Sequence, residues 1–278
     1  MKNSKLLRNE INRSVFNKGM FLSVTISAVL VFLFCKNHLK MWVEYEVAET
    51  FYEPLILGTP LCGWIISTAS QYMYYLYYML AFLAVLPYGM SFLSDIRSGV
   101  IKNIFVRVKR GTYATYRFVA TFIAGGIALI ITPALSLIIN MNYAPIQKVL
   151  PGILTLQSIT WLEKLLFTHP ILYVLLYMGM YFMLGGVLAN LSILISMISK
   201  NRLTVFLTPF FVMLFVIYIQ QRLMIMGVGS DVIKYFPFTF MFCFSIRGGM
   251  EIIMGGLFVI AAVEYIVFRH RVCRMEVM

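Results

Sequence analysis

The chain has 278 residues, 61% hydrophobic and 12% charged, with a formal net charge of +12 at pH 7 and a mean hydropathy of +0.86. Soluble domains hold roughly 45–50% apolar and about 25% charged residues, so these values exclude an ordinary soluble domain and predict an integral membrane protein. The excess of bases does not point to nucleic acid, because no basic patch interleaved with aromatics lies outside the apolar runs; lysines and arginines gathered on cytoplasmic loops account for it.

The expected fold is all-α: one transmembrane domain over 1–278 with six transmembrane helices, an N-terminal interfacial helix and both termini cytoplasmic. Residues 3–18 come first. Leu7, Ile11 and Val15 stand at i, i+4 and i+8 among Lys5, Arg8 and Arg13, the pattern of a helix lying along headgroups. The first span follows at about 19–35. Its basic flank imitates a signal peptide, but Phe34 precedes Cys35 where a lipoprotein site needs a small residue, so the run reads as uncleaved.

Residues 36–71 form an acidic outer segment, with Glu44, Glu46, Glu49 and Glu53 against Lys36 and Lys40. The apolar piece at 55–66 is broken by Pro60 and Gly63 and is too short to cross, so it rests on or dips into the outer surface. The second span, about 72–93, opens with a run of tyrosines suited to the membrane interface, and Pro87 predicts a kink.

Next comes a polar, basic interruption from Ser94 to Arg117. One acid, Asp95, stands against Arg97, Lys102, Arg107, Lys109, Arg110 and Arg117. Ile101, Ile104, Phe105 and Val108 fall at i, i+3, i+4 and i+7, one face of a short helix. Two supports fit that face: lipid headgroups or a partner protein on the cytoplasmic side.

The third span, about 114–140, carries Gly125-Gly126 and Pro133, which permit close packing and a bend. An outer segment at 141–170 leads to the fourth span, about 171–199. A short turn at Asn201 precedes the fifth, about 203–221. The outer segment 222–249 holds an aromatic run with charged flanks, read as a re-entrant or interfacial pair, and the sixth span, about 252–268, ends in a basic tail. With both ends inside, the cytoplasmic segments carry more than twice as many lysines and arginines as the outer ones. No internal repeat and no soluble domain are read from the pattern.

Catalytic and cofactor motifs are missing from the sequence. There is no GxxxxGK[ST] phosphate loop, GxSxG or HExxH, so no catalytic, cofactor-binding or metal residue is assigned and the chain is not expected to be an enzyme. Cys35, Cys62, Cys243 and Cys273 show no metal-ligand spacing, and Cys62 and Cys243 could pair on the outer side. Glu264 is the acid within a span; it either marks an ion pathway or pairs with Arg269 a turn away. Tyr75, Met79, Phe82 and Leu86 on the second helix, and Phe206, Phe210, Met213 and Ile217 on the fifth, form faces that suit helix packing or an amphiphile-binding wall.

This order of features resembles the permease subunits of type-2 ABC exporters. The local pattern lies in Asp95, Gly99, Lys102, Arg107, Arg110 and Tyr113, a coupling segment at 94–113 between the second and third spans. The resemblance implies a separate ATPase subunit that holds ATP and magnesium. It would bind at Asp95, Arg97, Gly99, Ile101, Lys102, Ile104, Phe105, Arg107 and Val108, with Ile101, Ile104 and Phe105 filling its groove. It also implies a second permease chain, identical or paralogous, and a path lined by Tyr75, Met79, Phe82, Phe206, Phe210 and Met213. The expected setting is the bacterial cytoplasmic membrane, and the expected cargo an amphiphile such as a peptide antibiotic, lipid-linked molecule or drug. Two other readings remain. One is a non-transporting scaffold or sensor that binds a partner through the basic 94–113 loop. The other is an ion-coupled carrier, which would want more intramembrane acids and a repeat.

Overall fold

The computed structural model describes residues 2–47, 71–143, 165, 168–226 and 250–275. Among them there is no strand. The helices are α1 Lys2–Val15, α2 Lys18–Val47, α3 Gln71–Val85, α4 Ser91–Arg97, α5 Val100–Arg107, α6 Arg110–Tyr143, α7 Pro170–Ile195, α8 Arg202–Ile225 and α9 Met250–Arg274. Four of them, α6 to α9, are long and apolar enough to cross a membrane. The pair α1–α2, bent by 42° at the junction, is a fifth candidate. Several long apolar helices of this kind suit a multi-pass membrane protein.

Helix boundaries depart from the expected ones in several places; α7 ends at Ile195 rather than near 199, and α9 runs to Arg274 rather than 268. The first-span helix does not stop near 35: α2 runs on to Val47, into the segment expected to lie outside, because Leu39, Met41, Trp42 and Val43 follow with no glycine or proline to end it. The third-span helix starts at Arg110 rather than 114, so it absorbs the end of the basic stretch. The second span is not one helix: α3 ends at Val85, residues 86–90 turn, and α4 begins at Ser91. Pro87 is the cause. It has no amide to give to the carbonyl of Leu83 and its ring crowds that carbonyl. Ser23 on α2 supplies the missing donor, its Oγ lying 3.0 Å from the Leu83 oxygen. The turn nests against its neighbours through glycines: a methyl on Gly19 would lie 2.3 Å from the Leu86 carbonyl oxygen, and one on Gly89 would lie 2.2 Å from Ser192 Oγ.

The centre of the molecule is the α6–α7 pair, which runs antiparallel. Both helices carry the sequence Phe-x-x-Gly-Gly: Phe122 to Gly126 on α6 and Phe182 to Gly186 on α7. The two copies face each other. Gly125 lies against Gly185, Phe122 covers Gly186, and Phe182 covers Gly126, with the two rings edge to face at 5.7 Å. The motif is a five-residue repeat that the hydropathy pattern does not reveal. Around this pair pack α1, α2, α3 and α9, and α8 lies against α3 and α7.

The starts of α2, α6 and α8 and the ends of α3, α7 and α9 gather at one end of the bundle. Several contacts fix that grouping: Arg110 Nη1 donates to the carbonyls of Cys273 and Met275, and Arg97 donates to the carbonyl of Lys200. This end is strongly basic. Lys5, Arg8, Lys18, Lys102, Arg107 and Lys200 are exposed here, while its described acids, Glu10 and Asp95, are buried.

Candidate functional site

At the basic end, α4 and α5 form a hairpin closed by Gly99. This glycine has φ +72°, and a methyl on it would meet nothing within 4 Å among the described residues. Glycine is needed here for its backbone conformation, which other residues enter at a cost of about 1–2 kcal/mol. The apolar face expected on α5 exists: Ile101 is buried, and Ile104, Phe105 and Val108 are partly buried. They rest on this chain itself, against Phe92, Tyr113, Phe118 and Phe268, with Phe105 edge-on to Tyr113 at 5.6 Å and under the Arg110 guanidinium at 5.4 Å. Lys102, Val106 and Arg107 point outward, and Val106 is 87% exposed. Of the residues expected to couple to a partner, Arg97, Lys102 and Arg107 are exposed, whereas Asp95 and Ile101 are interior.

Asp95 belongs to a buried ionic cluster that joins four elements. Arg117, on α6, is fully buried. Its Nη1 donates to Tyr88 Oη at 2.6 Å and to Glu10 Oε2 at 3.1 Å, and lies 3.1 Å from Asp95 Oδ2. Its Nη2 donates to Ser91 Oγ. The guanidinium lies over the Tyr88 ring, 4.1 Å from the centroid, and Tyr88 in turn donates to Glu10 Oε2 at 2.7 Å. Arg13, on α1, forks onto Asp95 through Nη1 at 3.0 Å and Nη2 at 2.6 Å. Two carboxylates therefore balance two guanidiniums. That neutrality is what makes the burial tolerable, since an unpaired buried charge costs several kcal/mol.

The cluster changes the account of α1. Its Leu7, Ile11 and Val15 stripe is only part of the face, because Glu10 and Ser14 on the same side are buried too. α1 is thus pinned onto α6 as well as having an exposed basic side. The sequence carries a trace of this. Arg117 lies within the apolar run of α6, where a charge needs a partner, and Glu10 and Asp95 are isolated acids in otherwise basic stretches.

The expected path residues split. Phe82 on α3 stacks on Phe210 of α8 with centroids at 4.5 Å, and meets Phe206 at a tilt with centroids at 5.1 Å. Met213 is buried, and Met79 is 44% exposed. The Tyr75 side chain, Cys62 and Cys243, and the 55–66 and 232–249 segments lie outside the described residues or side chains. Glu264 is buried, and its Oε2 has no hydrogen-bond partner among the described residues. No ion pair joins it to Arg269 among the described residues, and Arg269 Nη1 instead donates to Tyr265 Oη. Among the described residues, no group of three His, Cys, Asp or Glu side chains could hold a metal. No protein-family model matches the chain, and no curated protein matches its sequence.

Proposed function

We propose that this chain is the membrane-spanning permease subunit of a type-2 ABC exporter, crossing the bacterial cytoplasmic membrane six times with both termini inside. A separate ATPase subunit supplies ATP hydrolysis, and a second permease chain completes the path. The observation that carries the proposal is the α4–α5 hairpin. It stands at the basic end with bases outward, and its Asp95 is clamped by Arg13 and Arg117 to α1 and α6. A push on this hairpin reaches the long helices through charge-assisted bonds rather than a slack loop. The helix grouping supports the six-crossing topology, because helix starts and ends alternate at the basic end and bases favour the cytoplasm.

In this reading the ATPase meets Arg97, Lys102, Val106 and Arg107, the residues left facing outward, while Ile101, Ile104 and Phe105 hold the hairpin to its own bundle. The cargo is an amphiphile, for which the aromatic contact of Phe82, Phe206 and Phe210 and the exposed Met79 supply an adaptable apolar wall. The test is affinity capture of the tagged chain from its host in mild detergent, comparing wild type with Lys102→Glu/Arg107→Glu. A stoichiometric ATPase subunit lost from the variant is the expected result. An intact chain that retains no ATPase under several extraction conditions overturns the proposal and leaves the scaffold reading.

A further inference from the structure

A cavity of about 400 Å³ opens at the basic end between the α1–α2 junction, the turn after α3 and the start of α8. Its walls combine an apolar part, with Leu86, Pro87 and Met90, and a cationic part, with Arg13, Lys18 and Arg202. The nearby acids are already committed: Asp95 and Glu10 are matched by Arg13 and Arg117. Lys18 and Arg202 are exposed and form no ion pair among the described residues. Among the described residues they leave two uncompensated positive charges on a cavity that no acid lines.

The backbone adds to this field. Lys18 opens α2 and Arg202 opens α8, so two positive helix ends converge here. Asn17 caps the first, its Oδ1 2.8 Å from the Met20 amide, and Asn201 caps the second, its Oδ1 3.0 Å from the Leu203 amide. Ser94, an exposed hydroxyl on the rim, offers a neutral donor.

We infer that this cavity binds a phosphate-bearing anion, with Lys18 and Arg202 on the phosphate and the carbon part of the ligand against Leu86, Pro87 and Met90. A phosphodiester carries one negative charge and a monoester nearly two, either of which the two free cations balance. A lipid headgroup and a soluble phosphorylated molecule share this chemistry. The site needs no ATPase and no transported cargo, so it stands or falls apart from the exporter reading.

The experiment uses the purified full-length chain in zwitterionic detergent. Thermal unfolding and native mass spectra are followed during titration with phosphatidylglycerol, phosphatidylcholine and glycerol 1-phosphate. Saturable stabilisation by phosphatidylglycerol but not phosphatidylcholine identifies a lipid headgroup; saturation by glycerol 1-phosphate identifies a soluble source. Lys18→Gln/Arg202→Gln should weaken that binding about ten- to thirtyfold, and Lys18→Arg/Arg202→Lys should retain it. Lys5→Gln/Arg8→Gln, which removes exposed bases of α1 away from the cavity, should leave it unchanged. If Lys18→Gln/Arg202→Gln does not fold, Ser94→Asp, which puts a carboxylate on the rim, should weaken binding in its place. The inference is overturned if no probe binds saturably, if Lys5→Gln/Arg8→Gln weakens binding as much as the cavity variant, or if binding survives the cavity variants.

Discussion

Gly125 on α6 and Gly185 on α7 meet backbone to backbone: a methyl on Gly125 would lie 2.5 Å from the Gly185 carbonyl oxygen, and one on Gly185 would lie 2.4 Å from that of Gly125. In lipid, where no hydrophobic force drives apolar helices together, such approach lets dispersion contacts hold them. The flanking Phe122 and Phe182 extend the contact, each seated on the other helix's second glycine. Gly125→Ala or Gly185→Ala must therefore push the two helices apart. The expected loss is about 1–3 kcal/mol, the usual scale of overpacking, read as a lower unfolding temperature in detergent. Gly179, on α7 but with nothing within 4 Å of an added methyl among the described residues, is the control. Gly179→Ala should be neutral or stabilise by up to about 1 kcal/mol through helix propensity. Equal stability of Gly125→Ala and wild type would rule out the close approach.

The break at Pro87 predicts a coupling between two residues on different helices. Ser23→Ala removes the donor to the Leu83 carbonyl and leaves a buried acceptor unsatisfied, at a cost of about 1–3 kcal/mol. In a Pro87→Ala background, residue 87 regains an amide that can reach the same carbonyl. The Ser23→Ala cost should then shrink. A double-mutant cycle on unfolding temperature checks this; strictly additive effects would mean that Ser23 does not replace the bond that Pro87 forfeits.

The long helices α6 to α9 are legible in the sequence because the bilayer demands near-continuous apolar runs of about 20 residues, and the runs ending near 140, 199, 221 and 268 meet it. Pro87 announces a disturbance, but whether the helix bends or breaks depends on Gly19 and Gly89 admitting the turn, contacts between residues far apart in sequence. The spacing of Ile101, Ile104, Phe105 and Val108 likewise announces a buried face without naming its floor. Periodicity records that a face avoids water, whereas the Tyr113 and Phe268 that cover it come from α6 and α9. The Gly125-Gly126 pair signals close packing, and its partner is visible in the second Phe-x-x-Gly-Gly only once the two helices are set antiparallel. Arg117, a charge inside the apolar run of α6, announces a need for partners, but not which ones: Glu10, Tyr88 and Asp95 arrive from three different elements.

Gly99 offers a test confined to the hairpin. Because a methyl there meets nothing within 4 Å among the described residues and φ is +72°, Gly99→Ala carries a backbone cost, about 1–2 kcal/mol. Gly99→Asn should cost less, since asparagine tolerates the left-handed region. The hairpin is local, so the expected signature is faster amide exchange or proteolysis around 98–108 with little change in global unfolding. Wild-type protection in Gly99→Ala would contradict the left-handed corner.

The buried cluster makes the sharpest prediction, because its members are unequal. Asp95 is held by both Arg13 and Arg117, whereas Arg117 is the only cation paired with Glu10 among the described residues. Arg117→Met thus strands Glu10, which keeps the Tyr88 hydroxyl as its side-chain hydrogen-bond donor among the described residues, while Asp95 keeps its fork from Arg13. Removing one partner of a buried pair costs about 3–5 kcal/mol, and most of that loss should come from Glu10. Glu10→Gln in the Arg117→Met background should accordingly restore a large part of the stability, although Glu10→Gln alone destabilises. Thermal or denaturant unfolding of wild type, the two single variants and the double variant measures the coupling. A double variant no more stable than Arg117→Met would mean that the Glu10 carboxylate does not depend on Arg117, and α1 would then be joined to α6 by Arg13, Asp95 and apolar contact alone.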